Sequence, residues 1–169
     1  MTRVLGIDPG LHITGYGLVE VDPNGGAAAL LEPRLIEAGI VKLTPKLALE
    51  KRLGQLHDDL VSLIEECKPD VMAVEKLFAA YNHPRTAILM AHARGVILLC
   101  AQRAGIGVVS LPATEVKKAV TGYGHASKEQ VQRAVMTQCR LAQMPNPPDV
   151  ADAIAIALTQ ARRLAIERM

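Results

Sequence analysis

The spacing of apolar residues along this 169-residue chain changes character more than once. Val4–Asp8 is a short apolar run stopped by Asp-Pro-Gly, the mark of a buried strand that ends in a turn. Thr14–Val21 reads as a second strand, closed by the turn residues 22–26. Arg34–Lys42 reads as a third, with the apolar residues 27–31 as a candidate extension. Three strands in succession with short connections predict an antiparallel meander. The period then becomes helical. Leu49, Leu53, Leu56, Leu60 and Leu63 predict an amphipathic helix over 46–67, ended by Lys68-Pro69. Val71–Glu75 is another buried strand, and Pro84 opens a long helix to about Ala104. Val108–Leu111 is the fifth strand, and Pro112 is expected at the first position of a short helix. Gly122-Tyr-Gly124 breaks that helix. Ser127 with Gln130 three residues on forms a capping box for a helix to about Arg140. A proline-rich loop, 145–148, leads to a last helix from Asp149. The fourth and fifth strands follow helical crossovers and should be parallel neighbours, giving one α/β domain with a five-stranded mixed sheet flanked by helices.

Length agrees with one domain and a substantial core. Half the residues are hydrophobic and 21% are charged, a globular composition without a low-complexity run. No apolar stretch has membrane-spanning length, and residues 1–6 run straight into a strand, so neither a membrane span nor a signal peptide is expected. Cys67, Cys100 and Cys139 are far apart and in no CxxC spacing, which predicts reduced, partly buried thiols and a cytoplasmic protein. The formal net charge of +2 conceals an asymmetry: residues 1–75 carry −5, residues 76–148 carry +7, and residues 149–169 balance. A basic middle segment suits a polyanion such as nucleic acid, although two solvated helix faces would give the same count.

Four carboxylates occupy informative places. Asp8 ends the first strand, Glu75 ends the fourth, and Asp149 and Asp152 share one face at the start of the last helix. Adjacent parallel strands would put Asp8 and Glu75 side by side at the carboxyl edge, where open α/β sheets bind ligands. The alternating small residues of 151–157 would let the last helix approach closely, bringing all four acids to one point. Oxygen ligands without His or Cys suit a hard cation, Mg²⁺ or Mn²⁺. Two such ions, about 3.5–4 Å apart, would serve phosphodiester hydrolysis. Each residue also has a plainer reading. Asp8 before Pro-Gly can shape a turn, and Asp149 can be an N-cap. Glu75 and Asp152 are harder to explain without a partner.

The motifs Gly6-Ile-Asp8-Pro-Gly10, Thr14-Gly-Tyr-Gly17, Ala73-Val-Glu75-Lys-Leu-Phe78 and Ala93-Arg-Gly95 resemble the RuvC crossover junction endodeoxyribonucleases. So do Val116-Lys117-Lys118-Ala-Val-Thr-Gly122, Gly124 with Lys128, and Asp149-Val-Ala-Asp152-Ala-Ile-Ala-Ile-Ala157. The likeness spans nearly the whole chain, in order. It implies an RNase H-like fold and a homodimer that cuts two opposed strands of a four-way (Holliday) DNA junction with Mg²⁺, alongside a branch-migration motor. By the same resemblance Asp8, Glu75, Asp149 and Asp152 are the metal ligands, and Lys117 and Lys128 lie near the scissile phosphate. Phe78 matches an aromatic at the junction's exchange point, with Tyr81, Arg85, Lys76 and Lys118 as further expected DNA contacts. On their own terms the two lysines could be a solvated helix face, and Phe78 could stack on a base or fold back into the core. Two departures stand out: residues 22–33 form a longer loop than short family members need, and the sequence reaches Met169 without an extended basic tail. The helix 84–104 offers Ile88, Leu89, Val96, Ile97 and Leu98 as a candidate two-fold interface, or as ordinary core.

Three other readings compete with this one. Gly-Ile-Asp-x-Gly also opens actin-like ATPases and sugar kinases, but those need a second domain for which 169 residues leave no room. A catalytically silent nucleic-acid-binding module would be favoured by loss of a carboxylate, and all four are present. A related nuclease acting on RNA or RNA–DNA hybrids fits Phe78 and the two lysines less well.

Overall fold

The computed structural model describes residues 1–22, 24–26, 33–77 and 83–167. The strands are β1 (Thr2–Asp8), β2 (Ile13–Val21), β3 (Arg34–Lys42), β4 (Val71–Glu75) and β5 (Gly107–Leu111). The helices are α1 (Leu49–Cys67), α2 (Pro84–Arg103), α3 (Ala113–Thr121), α4 (Lys128–Gln138) and α5 (Pro148–Ile166). The candidate strand extension over 27–31 lies outside the described residues. The sheet order is β3-β2-β1-β4-β5. Its first three strands are antiparallel, and β1-β4 and β4-β5 are parallel, as the meander and the two crossovers predict.

Strand alternation sorts side chains onto two cores. Leu5, Ile7, Leu18, Met72 and Val74 face α1 and α2, where Leu56, Leu60, Ile97 and Cys100 close the layer. Val4, Val19 and Ala73 face α5, with α3 and α4 beyond it. Every residue of α5 from Val150 to Ala161 is buried except Asp152. A stretch so enclosed is largely apolar, Thr159 and Gln160 being its buried polar residues, and Ala-Ile-Ala-Ile-Ala supplies apolar surface at small volume.

That helix touches strand backbone directly. A Cβ on Gly6 would lie 2.3 Å from the Ala153 carbonyl oxygen and 2.6 Å from the Ala157 nitrogen. One on Gly15 would lie 2.1 Å from the Asp149 carbonyl oxygen, and one on Gly17 2.9 Å from the Ile154 Cα. Gly6 pairs with Gly17, and Asp8 with Gly15, so the three glycines form one side-chain-free patch beside Asp8.

Three expectations shift. Pro112 is the N-cap of α3 rather than its first residue. Its ψ of 139° continues the extended backbone of β5, while its carbonyl accepts from the Glu115 and Val116 N–H groups. The last helix begins at Pro148, and Asp149 is its second residue. On α2, Ile97 is fully buried and Leu89 and Val96 pack against the same core, so only part of the expected interface set is free. Ile88 and Leu99, 60% and 50% exposed, are its outward apolar residues. Cys67 and Cys100 are buried and Cys139 is half-buried, all as free thiols whose pKa burial raises. Among the described residues no helix is long and apolar enough to cross a membrane.

Gly6→Val should destabilise the fold by about 3 kcal/mol or more, read from urea unfolding, because helix backbone cannot yield as a side chain does. Gly54→Ala, at an exposed position of α1 where a Cβ meets nothing within 4 Å, should instead stabilise by about 0.5–1 kcal/mol. Equal effects would mean that the close approach of α5 does not constrain the sheet.

Candidate active site

The carboxyl edge of β1 and β4 and the first turns of α5 face one another across a cleft of about 380 Å³. Its lining includes Asp8, Glu75, Asp149, Asp152, Lys117 and Lys128. Asp8 and Glu75 arrive there because parallel pairing aligns Gly6 with Ala73 and Ile7 with Val74, leaving the next residue of each strand at the edge. Asp149 arrives because its backbone rests on Gly15, the partner of Asp8 in β2. Asp152 follows one turn later on the same face of α5. Lys117 comes from α3, and Lys128 is the first residue of α4, held by the Ser127–Gln130 capping box.

None of the four carboxylates makes a hydrogen bond or ion pair among the described residues. The plainer readings of two therefore fall. The turn after Asp8 is braced by Thr14, whose hydroxyl donates to the Gly10 carbonyl at 2.9 Å and accepts from the Gly10 N–H at 3.2 Å. Asp149 caps nothing, since the N-cap position belongs to Pro147.

The electrostatics are those of crowded like charge. Burial, then Glu75, Asp152 and Asp149, pushes Asp8 up from 3.8 to about 8, against a lowering by Lys128. Burial and Asp152 raise Glu75, opposed by Lys117 and Lys128. Asp152 is also raised, first by burial and then by Asp149, with the same two lysines opposing. Among the described residues no three His, Cys, Asp or Glu side chains close on a single point, so the four acids line one cleft without forming a closed ligand set. The donor set nonetheless fits hard divalent cations, being oxygen only, anionic and free of competing partners.

Other expected residues fall as follows. Lys118 is exposed on α3 outside the cleft lining, Lys76 is exposed just past β4, and Arg85 is exposed in the first turn of α2. Phe78 and Tyr81 lie outside the described residues. Arg94, to which the sequence reading gave no role, ties the site's floor together. Its Nε donates to the Glu75 carbonyl at 3.3 Å and a terminal nitrogen donates to the Ser110 Oγ at 2.6 Å. The Lys76 N–H donates to the Leu111 carbonyl at 2.8 Å, fixing the same strand ends. The only signal was Ala93-Arg-Gly95, a motif without visible chemistry until the helix is docked.

Comparison with known proteins agrees with this geometry. Residues 4–160 match the family model of crossover junction endodeoxyribonuclease RuvC. The chain is 46% identical over 157 residues to the RuvC of Rhodopirellula baltica, covering 92% of this chain and 83% of that one. It is 46% identical over 158 residues to that of Thermomicrobium roseum, covering 92% and 90%. The structure of Thermus thermophilus RuvC in complex with Holliday junction substrate superposes with a TM-score of 0.87 at 34% identity, covering 99% of this chain and 98% of that one. The mixed sheet and its flanking helices are thus the RNase H-like fold, and this chain belongs to the RuvC crossover junction endodeoxyribonuclease family.

Proposed function

We propose that this protein resolves four-way DNA junctions by paired symmetric nicks, through metal-dependent hydrolysis at the cleft ringed by Asp8, Glu75, Asp149 and Asp152. The observation that carries the site assignment is the meeting of four unpaired carboxylates from three separate elements, with Lys117 and Lys128 on the same wall. The acids would hold Mg²⁺, two ions per site, with Mn²⁺ as a substitute. Bound there, the ions would supply an activated water and charge stabilisation at the leaving oxygen. The chain's own part is placement. The two strand ends and α5 fix the acids, Arg94 holds the Glu75 backbone, and the lysines offer positive charge to the phosphate as negative charge builds on it.

Junction DNA is the partner the family supports, as the Thermus thermophilus complex illustrates for that relative. Exposed Lys76, Lys118 and Arg85, with Phe78 and Tyr81, complete the proposed DNA face. A junction with two-fold symmetry calls for a homodimer, and the outward stripe of Ile88, Gly95 and Leu99 on α2 is its proposed seam. The whole chain would act as one nuclease domain in the cytoplasm, beside a branch-migration motor.

The test is a synthetic four-way junction against matched linear duplex, with Mg²⁺ and with EDTA. Paired nicks confined to the junction with metal are expected; equal cutting of duplex would defeat the proposal. Glu75→Gln or Asp8→Asn should lower cleavage by about a thousandfold or more while leaving junction affinity within a few-fold, because a ligand is lost and phosphate contacts are not. Near-normal cleavage by either variant would remove the metal-site assignment. Phe78→Ala should weaken junction distortion, followed by fluorescence transfer between arms, more than it weakens duplex binding. Equal loss on both substrates would indicate a core role.

A pH prediction follows from Asp8. Its folded pKa of about 8 lies above its ordinary 3.8, so in that interval the metal-free folded state keeps a proton that the unfolded chain has released. Stability of the metal-free protein therefore falls as pH rises from about 4 to about 8. Asp8→Asn relieves the penalty and should stabilise the metal-free protein at pH 8 by about 1–3 kcal/mol, with little difference at pH 4. Thermal unfolding in EDTA across that range checks it, and a gap independent of pH would contradict the buried, repelled carboxylate.

A further inference from the structure

We infer that the catalytic cleft continues into a phosphate-binding subsite built on Arg52, which grips the DNA strand beside the position of the cut. The inference rests on the junction-nuclease reading and extends it to a residue that the family motifs quoted above do not include. A second cavity, of about 520 Å³, adjoins the catalytic cleft and shares Pro9, Met90 and Asp149 with it. Its remaining walls come from the β1–β2 turn with His12, the first turn of α1 with Arg52, and the start of α2 with Thr86.

Arg52 is the anomaly in this cavity. Its guanidinium makes no hydrogen bond or ion pair among the described residues, and its Nε is buried without a partner. Elsewhere the chain pairs such groups: Arg3 and Arg34 both bind Glu20, and Arg133 binds Glu129. A guanidinium stays charged at any working pH and carries five donors in a planar fork. Left unpaired at a half-buried wall, it is matched by an anion with several oxygens, and a phosphodiester presents two on each linkage. His12 and Thr86 add side-chain donors on the other walls, and the first turn of α2 carries no acidic residue. The one carboxylate in the lining is Asp149, which the proposed metal site engages from the other side.

Because the two cavities share Asp149, one strand can occupy both. The two cavities adjoin, and on this inference the Arg52 phosphate lies within two linkages of the scissile one. Charge and contour together make this a register clamp: a strand seated on Arg52 has its scissile phosphate at the carboxylates.

The experiment measures junction binding with Mg²⁺ in the Glu75→Gln background, which is predicted to bind without cutting. Single neutral methylphosphonate linkages are placed in turn on either side of the cut. Arg52→Gln should weaken binding about 5- to 10-fold near 0.1 M salt and reduce the slope of log affinity against log salt by about one per subsite. One linkage within two positions of the cut should weaken binding of the Arg52-intact protein by a similar factor and have no further effect on Arg52→Gln. Arg52→Lys should retain most of the affinity. Unchanged affinity and salt slope in Arg52→Gln would overturn the subsite, as would an Arg52→Gln protein equally sensitive to every neutral linkage, which would assign Arg52 a packing role. Should Arg52→Gln not fold, Arg52→Lys and the linkage scan decide, and absence of any sensitive linkage near the cut overturns the inference. Failure of the Arg52-intact protein to bind the junction would instead strike the nuclease reading itself.

Discussion

The contact on which the site depends is backbone against backbone: α5 lies on β1 and β2 where Gly6, Gly15 and Gly17 leave nothing between them. From Val150 to Ala161 the helix is enclosed everywhere except at Asp152, so packing density sets the position of this stretch, while its polar ties, Arg163 to Glu115 and Arg162 to Gln138, lie at the far end from the site. That position decides where Asp149 and Asp152 stand relative to Asp8 and Glu75. Any side chain on the glycine patch would lift the helix and carry two of the four acids with it. Metal-assisted chemistry tolerates misplacement of about 1 Å poorly. Three residues with no side chain therefore set the geometry of four that have one.

The site is assembled against its own electrostatics. Four carboxylates without partners among the described residues share one cleft, and burial with mutual repulsion drives Asp8 to about 8. Attraction cannot have brought them together. The two hydrophobic layers do so, with Leu56, Leu60 and Ile97 on one side of the sheet and Ile154, Ile156 and Leu158 on the other. Lys117 and Lys128 offset part of the repulsion, yet among the described residues neither forms an ion pair with an acid of the cleft. Native sequences break local rules of charge pairing at functional sites and hold the fold by other means. On the proposed reading, that negative charge is what a cation would answer.

Much of this was legible in the sequence because its signals were local and periodic. Alternation in β1 and β4, the heptad-like leucines of α1 and the capping box at Ser127 each name their own element. The neighbourhood of Asp8 and Glu75 followed from one topological step, the parallel pairing of β1 and β4, and that of Asp149 and Asp152 from a second, the laying of α5 across the sheet. What escaped was relational. Pro112 fits a first helical position by type, but the extended strand before it holds its ψ out of the helical range. The Ala-Ile run announced a close approach, while the glycines that receive it lie over 130 residues earlier, inside strands that give no sign of it. The apolar residues of α2 could not be divided into core and outward stripe, because nearly every turn carries one. Arg94 and Arg52 look like surface charges until their surroundings are known.

The charge asymmetry of the chain acquires its meaning only in the fold. Asp8 and Glu75 come from the acidic first segment, and α5 adds Asp149 and Asp152. The basic segment 76–148 supplies α3 and α4, whose Lys117 and Lys128 stand over those acids, while Lys76, Arg85 and Lys118 remain exposed outside the cleft lining. A site made only for cations would gain nothing from a basic surround, since those charges would repel the ion. A site made only for a polyanion would be harmed by four buried acids. On the proposed reading, an acidic centre within a basic border would suit both ligands at once, hard cations at the acids and a phosphate backbone at the basic residues. Each ligand then supplies the charge that the other needs for binding.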